Sequence, residues 1–278
     1  MSGLAASDIA GLAEAVIGLQ DRAETAATLT GRVPGFDLDA AYAVAREVLR
    51  RREQRGWRRI GRKVGFTNRT IWDQYGVHRP IFGYMYDETV HWSDAGGPGL
   101  YELSLDGLVQ PLIEPEIVFR LRASPPATDD PVALLAAVEW VGHGFEVVQC
   151  HFPDWKFQAA DTVADGGLHG RYVVGPRLPV EESGRGELAE RLAGFGAVLL
   201  KDGAPVAEGG GGLVLGSPIA VLAHLVEVLA GLPDHPPLEG GELVTTGTLT
   251  AAVPVAPGET WETRLEGLPF RGFGVRFV

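Results

Sequence analysis

Leu112-Ile113-Glu114-Pro115-Glu116-Ile117-Val118-Phe119 is the stretch on which the reading of this 278-residue chain turns. In an extended chain successive side chains point to opposite sides. Glu114 and Glu116 therefore project one way, and Ile113, Ile117 and Phe119 project the other, towards a core. Two carboxylates held together beside an apolar row need a cation. A third acid, Glu146 in Gly144-Phe145-Glu146-Val147-Val148, lies in another apolar run, and its flanks draw it inward as well. Three carboxylates without thiolates or an obvious histidine ligand favour a hard, oxygen-preferring ion, Mg2+ or Mn2+, with positions left for water and substrate. Spacing alone leaves the alternative open: two solvated glutamates on a half-exposed strand.

Outward from this stretch the texture is that of a strand-rich body. From about residue 60, short runs of Val, Ile, Phe and Gly alternate with Gly/Pro/Asp turns, and strands are expected at 111–121, 141–151, 170–175, 195–200, 242–249 and 272–278. Helices are expected near 131–139 and 217–230, each opening on a proline. Before residue 60 the spacing is helical over 7–30 and 37–55, with Leu38, Tyr42, Ala45 and Leu49 on one face and Asp37 as cap. The expected class is α+β, with a helical N-terminal portion (1–60) on a β-rich barrel or sandwich (61–278), together one compact unit. Eight basic residues fall between Arg50 and Lys63. The arginines among them read as the solvated end of a helix, complementing its dipole.

Composition excludes several classes. Hydrophobic residues at 45% and charged residues at 22% are globular values, so disordered and collagen-like chains are out. A net charge of −12 repels phosphate backbones and anionic lipid, which argues against a nucleic-acid or membrane-surface role. One cysteine, Cys150, cannot form an intrachain disulfide and points to a reducing, cytoplasmic setting. It reads as a small buried hydrophobe, because on a strand its neighbour His151 points the other way. Asp8 and Glu14 interrupt the first apolar stretch, which does not read as a signal peptide. Phosphate-loop, HExxH and GxSxG motifs are absent.

An ordered set of segments carries a resemblance. It consists of Gly61-Arg62-Lys63-Val64-Gly65-Phe66-Thr67, Phe82-Gly83, Asp87, Glu114-Pro115-Glu116, Glu146, Asp154-Trp155-Lys156, Asp161-Thr162-Val163-Ala164-Asp165, Leu215-Gly216-Ser217-Pro218 and Thr246-Gly247-Thr248-Leu249-Thr250. From about residue 8 to the end, the chain resembles the 2-keto-4-pentenoate hydratase and 4-oxalocrotonate decarboxylase family of the fumarylacetoacetate hydrolase superfamily. The resemblance implies a mixed β-sandwich roll with Mg2+ or Mn2+ held by Glu114, Glu116 and Glu146. It implies Lys63 and Asp87 as catalytic groups, with Asp87 a proton carrier or partner of Lys63, and Lys156 and Thr248 as substrate-binding positions. The implied substrate is a small 2-hydroxy-2,4-dienoate or its 2-oxo tautomer from aromatic meta-cleavage, and the expected activity is a hydratase. A decarboxylase of the same family is the alternative, or a metal-binding partner subunit without turnover in a hydratase–decarboxylase complex. A homo-oligomer is also implied. Two departures stand out: Gln149-Cys150-His151 where the family usually shows an Asp and an Arg, and Gly166-Gly167 where an Asn is usual. His151 and His169 sit beside these departures without an assigned role.

Overall fold

A computed structural model describes residues 3–93 and 100–278, with the Gln74 side chain outside the description. Strands β1 (Arg59–Gly65), β2 (Ile81–Tyr86), β3 (Val90–Trp92), β4 (Tyr101–Leu103), β5 (Leu112–Leu121), β6 (Val138–Val148) and β7 (His169–Pro179) come first in the chain. They are followed by β8 (Gly196–Lys201), β9 (Ala204–Gly210), β10 (Leu243–Thr248), β11 (Val253–Pro254), β12 (Thr260–Glu266) and β13 (Gly274–Phe277). One sheet runs β2-β1-β10-β5-β6-β7-β3, with β11 also on β5; the other runs β4-β13-β12-β8-β9. Pairing is mixed: β1 with β10, β3 with β7 and β4 with β13 are parallel, and the rest are antiparallel.

Around the sheets lie helices α1 (Ala6–Arg22), α2 (Leu29–Arg32), α3 (Leu38–Gln54), α4 (Trp72–Tyr75), α5 (Pro131–Ala136), α6 (Ala159–Ala164), α7 (Arg185–Gly194) and α8 (Ala220–Ala230). The helix expected over 7–30 stops at Arg22, where Ala23 turns left-handed (φ 52°) and closes the last turn onto Leu19. Asp37 caps α3 through the Ala40 N–H, as its position suggested.

The apolar row of β5 does what its alternation requires. Ile117 and Phe119 join the larger core, which also holds Val16 and Tyr42 from the N-terminal helices, Leu134 of α5, Leu192 of α7 and Leu225 of α8. Ile113 joins a second core between the sheets with Phe145, Val173, Trp261 and Phe277. Each fully buried side chain of this size is worth about 1.5–3 kcal/mol. The strand after α5 begins three residues before the expected 141, because α5 ends at Ala136 and the chain turns straight into β6. Cys150 is wholly buried and burial pushes its thiol up to about 12, so it packs as an inert group. Among the described residues no helix is long and apolar enough to cross a membrane.

The basic run is a solvated helix tail only in part, at Arg50 and Arg55, which end α3 half-exposed. Helix α3 ends at Gln54, and Arg59–Gly65 is a strand, so Arg62 and Lys63 leave it on opposite faces. Arg62 is wholly buried, paired with Glu242 at 2.5 Å and donating to the Pro236 carbonyl. Arg59 also reaches Glu242, at 3.4 Å, and Arg52 is buried against Asp21 at 2.6 Å. Helical spacing plus charge concealed a strand whose cations are neutralised across the fold. Breaking a buried pair by removing one partner strands the other charge. Arg62→Ala should therefore cost about 3–5 kcal/mol in denaturant unfolding, whereas the exposed Arg50→Ala should stay within about 0.5 kcal/mol.

Candidate metal and substrate site

The two central strands place the acids by register. In the β5–β6 pair Glu114 stands directly opposite Glu146, and Glu116 follows two residues on, opposite Gly144. All three side chains leave the same face of the sheet. Each offers an oxygen within 4.8 Å of the others. A fourth element comes from β10, whose pairing with β5 slips between Thr245 and Thr248. This bulge, centred on Gly247 (φ 87°), aims the Gly247 N–H at Glu116 Oε2, 3.0 Å away.

Lys63 supplies the balancing charge. Its ammonium lies 3.1 Å from Glu146 Oε2 and donates to the Gly167 carbonyl at 2.8 Å. Burial works against its charge, but the neighbouring Glu146, Glu114 and Glu116 outweigh that and hold it above the usual lysine value. The reverse holds for the acids. Burial, with the Glu146 charge beside it, pushes Glu114 up to about 7 against the pull of Lys63. Glu116 is raised well above the usual range by burial and by both neighbouring acids. Glu146 is also buried, yet Lys63 and His169 more than offset this and keep it low. His169 Nδ1 donates to Glu146 Oε1 at 2.8 Å, and its Nε2 is 2.9 Å from Thr89 Oγ1.

Lys63 is held by close backbone contact. Gly166, Gly167 and Leu168 all take positive φ, in the turn that presents the Gly167 carbonyl. A Cβ at Gly83 would stand 1.9 Å from the Gly166 carbonyl oxygen, and one at Gly167 would stand 2.8 Å from Lys63 Cδ. Of the two glycines at 166–167, Gly167 is the one whose missing side chain makes room for Lys63. His151 lies 2.8 Å from Asp165 Oδ2, and Gln20 donates to the same carboxylate, so these groups pin the start of that turn.

Above the acids opens a cavity of about 420 Å³. Lys63 and Glu114 line it together with Phe66, Tyr75, Trp155 and Phe157, whose rings contact one another. Tyr75 stacks on Phe157 with centroids 5.5 Å apart. Among the described residues that line it, Lys63 is the one cation and Glu114 the one acid. Three carboxylates fit a hard dication chemically. The buried Glu116 Oε1, which has no hydrogen-bond partner, fits that reading. The cavity thus offers a bound molecule both a charged pair and apolar rings.

Similarity to known proteins gives the family and the fold. The chain is 34% identical over 249 residues, 88% of it and 89% of the relative, to 2-hydroxyhexa-2,4-dienoate hydratase of Comamonas testosteroni. It is 33% identical over 258 residues to 4-oxalocrotonate decarboxylase of Pseudomonas putida, covering 92% of each. The chain belongs to the 2-keto-4-pentenoate hydratase and 4-oxalocrotonate decarboxylase family. A solved 4-oxalocrotonate decarboxylase from Pseudomonas putida G7, complexed with magnesium and adipate, superposes with a TM-score of 0.89 at 29% identity over the whole of both chains. Fumarylpyruvate hydrolase from Pseudomonas aeruginosa, at 18% identity and a TM-score of 0.57, shares the fold, covering 79% of this chain and 89% of its own. No protein-family model matches the chain.

Within this family member, Glu114, Glu116, Glu146, Lys63 and Thr248 come together at or beside the cavity. Asp87 does not. It sits in the turn after β2, where its carboxylate takes the Arg58 N–H at 2.9 Å and the Arg58 Nε at 2.7 Å. That backbone bond, with the guanidinium, holds it below the usual range. Lys63 is partnered by Glu146 instead. Lys156 is likewise turned out to solvent, 3.4 Å from Asp154, while its neighbours Trp155 and Phe157 turn in. Thr248 lines the cavity, with its hydroxyl donating to the Thr250 carbonyl.

Because Glu114 is pushed up to about 7 in the folded chain, the metal-free fold keeps a proton there that the unfolded chain releases near its ordinary pKa of about 4.3. Stability from this group is therefore present at low pH and lost as pH rises towards 7. Melting without metal should fall between about pH 5 and pH 8, less so in Glu114→Gln. Added Mn2+ should raise Tm more at the higher pH, because ligation needs the ionised carboxylates. An equal Mn2+ shift at both ends would contradict the site.

Proposed function

We propose that this chain is a divalent-metal-dependent hydratase of 2-hydroxy-2,4-dienoates carrying one carboxylate and an apolar tail. The observation that carries the choice over a decarboxylase is the lining of the cavity: among the described residues it holds one cation, Lys63, and four aromatic rings. A dicarboxylate such as 4-oxalocrotonate would bring a second charge into a cavity whose described lining holds no second cation. Burying an unpaired carboxylate is costly. An alkyl tail gains instead, by about 25 cal/mol per Å² of apolar surface covered.

Hydration needs a proton at C5 of the dienol, giving a 2-oxo-3-enoate. Water then adds at C4 and a proton at C3, which yields a 4-hydroxy-2-oxo acid. Glu114, Glu116 and Glu146 would hold the metal, and when bound it supplies Lewis-acid stabilisation of the negative charge developing on the C2 oxygen. Lys63 keeps its proton at neutral pH, so its ammonium binds the substrate carboxylate or delivers a proton beside it. The aromatic rings orient the tail and exclude bulk water from it. A cytoplasmic setting and a homo-oligomer complete the reading.

A metal-supplemented ultraviolet assay across 2-hydroxydienoates of increasing tail length and 4-oxalocrotonate, with product masses, tests the reading. Water addition to the monocarboxylates is expected; CO2 release from 4-oxalocrotonate as the faster reaction would make the chain a decarboxylase, and no turnover of either would make it a partner subunit. Lys63→Ala should lower kcat/KM by roughly 10²-fold or more, and Glu116→Gln should abolish turnover with the fold intact. Arg50→Ala, on the far surface, should leave kinetics unchanged. Lys63→Arg keeps the charge but cannot release a proton near neutral pH, so retained activity would assign binding alone.

A further inference from the structure

Tyr172 on β7 is wholly buried, and its hydroxyl has no hydrogen-bond partner. A tyrosine inside a protein ordinarily finds an acceptor, and leaving the hydroxyl unpaired costs free energy. Tyr172 is the register partner of Glu146, itself the partner of Glu114, so the three side chains share one face of three adjacent strands. The ring leans over Gly144, where a Cβ would stand 2.3 Å from the phenolic oxygen. Gly144 is in turn the register partner of Glu116. The missing side chain therefore opens the way from Tyr172 to the Glu116 row. There Glu116 Oε2 accepts from the Gly247 N–H, while Oε1 is buried without a hydrogen-bond partner, the Thr245 hydroxyl lying beside the carboxylate. A buried donor without an acceptor stands across a glycine from the row of a buried acceptor without a hydrogen-bond partner.

We propose that Tyr172 is a positioning residue of the carboxylate site, its hydroxyl donating to the Glu116 carboxylate when that group ligates a divalent cation. The inference rests on the metal-site reading given above. Carboxylates that ligate metals are themselves held by hydrogen bonds, and losing one such partner typically costs about 10- to 100-fold in affinity. Burial and the nearby Glu116 and Glu146 hold the Tyr172 phenol well above its ordinary value, so it remains a donor at working pH. Without a metal the hydroxyl is idle, which accounts for its missing partner.

Tyr172→Phe removes the oxygen and keeps the ring. Mn2+ binding by calorimetry and by electron paramagnetic resonance should weaken about tenfold or more, while the Tm of the chelator-treated protein should not fall, because the hydroxyl makes no bond there. A purely structural tyrosine would do the opposite, lowering the metal-free Tm and leaving Mn2+ affinity alone, and that result would overturn the inference. Unchanged affinity with unchanged Tm would overturn it too. If the wild-type protein takes up no Mn2+, the metal-site reading itself fails, and the inference with it; wild-type binding matched by the variant removes the inference alone.

Discussion

Three carboxylates on one face of a sheet, packed with a single buried lysine, form the constraint on which the rest of this molecule depends. Ionised side chains removed from water carry a penalty of several kcal/mol each; Lys63 pulls against it at all three acids, but only at Glu146, with the help of His169, is it outweighed. Glu114 and Glu116 are left pushed towards their protonated forms. Negative charge in excess, held rigidly and short of donors, is the electrostatic description of a cation site. The same carboxylates fix the state of Lys63, whose proton is retained because their pull, that of Glu146 first, outweighs its burial.

The fold serves this cluster by register and by close approach of backbone. Antiparallel pairing of β5 with β6 sets Glu114 against Glu146, and the bulge in β10 turns an N–H onto Glu116. The glycines at 83, 166 and 167 let a left-handed turn touch β2 and deliver a carbonyl to Lys63. Ile117 and Phe119 of β5 join the same core as the buried faces of α1 and α3, and Gln20 of α1 reaches Asp165 at the root of the turn. The N-terminal helices are thus tied to the site through one side chain as well as through the core.

Strand parity was enough to bring out Glu114, Glu116 and the core row of β5, because a period of two is local information. Glu146 needed only its apolar flanks. Lys63 was legible through family resemblance alone: its neighbours Arg58, Arg59 and Arg62 read as helix charge, and the ion pairs that neutralise Arg59 and Arg62 reach Glu242, some 180 residues away. Asp87 and Lys156 match family positions in order but sit in turns, where one residue of backbone rotation decides whether a side chain faces cavity or solvent. His169 and Tyr172 left no local signal, since their meaning lies in which strand pairs with which. The aromatic lining of the cavity was hidden for the same reason, its rings coming from segments around residues 66, 75 and 155–157.

The central claim is that the carboxylate trio is a divalent metal site. Anomalous diffraction from a crystal of the protein grown with Mn2+ tests it most directly. The account predicts one strong peak per chain, within ligating distance of about 2.0–2.2 Å of oxygens from Glu114, Glu116 and Glu146. No peak there, or a peak only on other acids of this −12 chain, would contradict it.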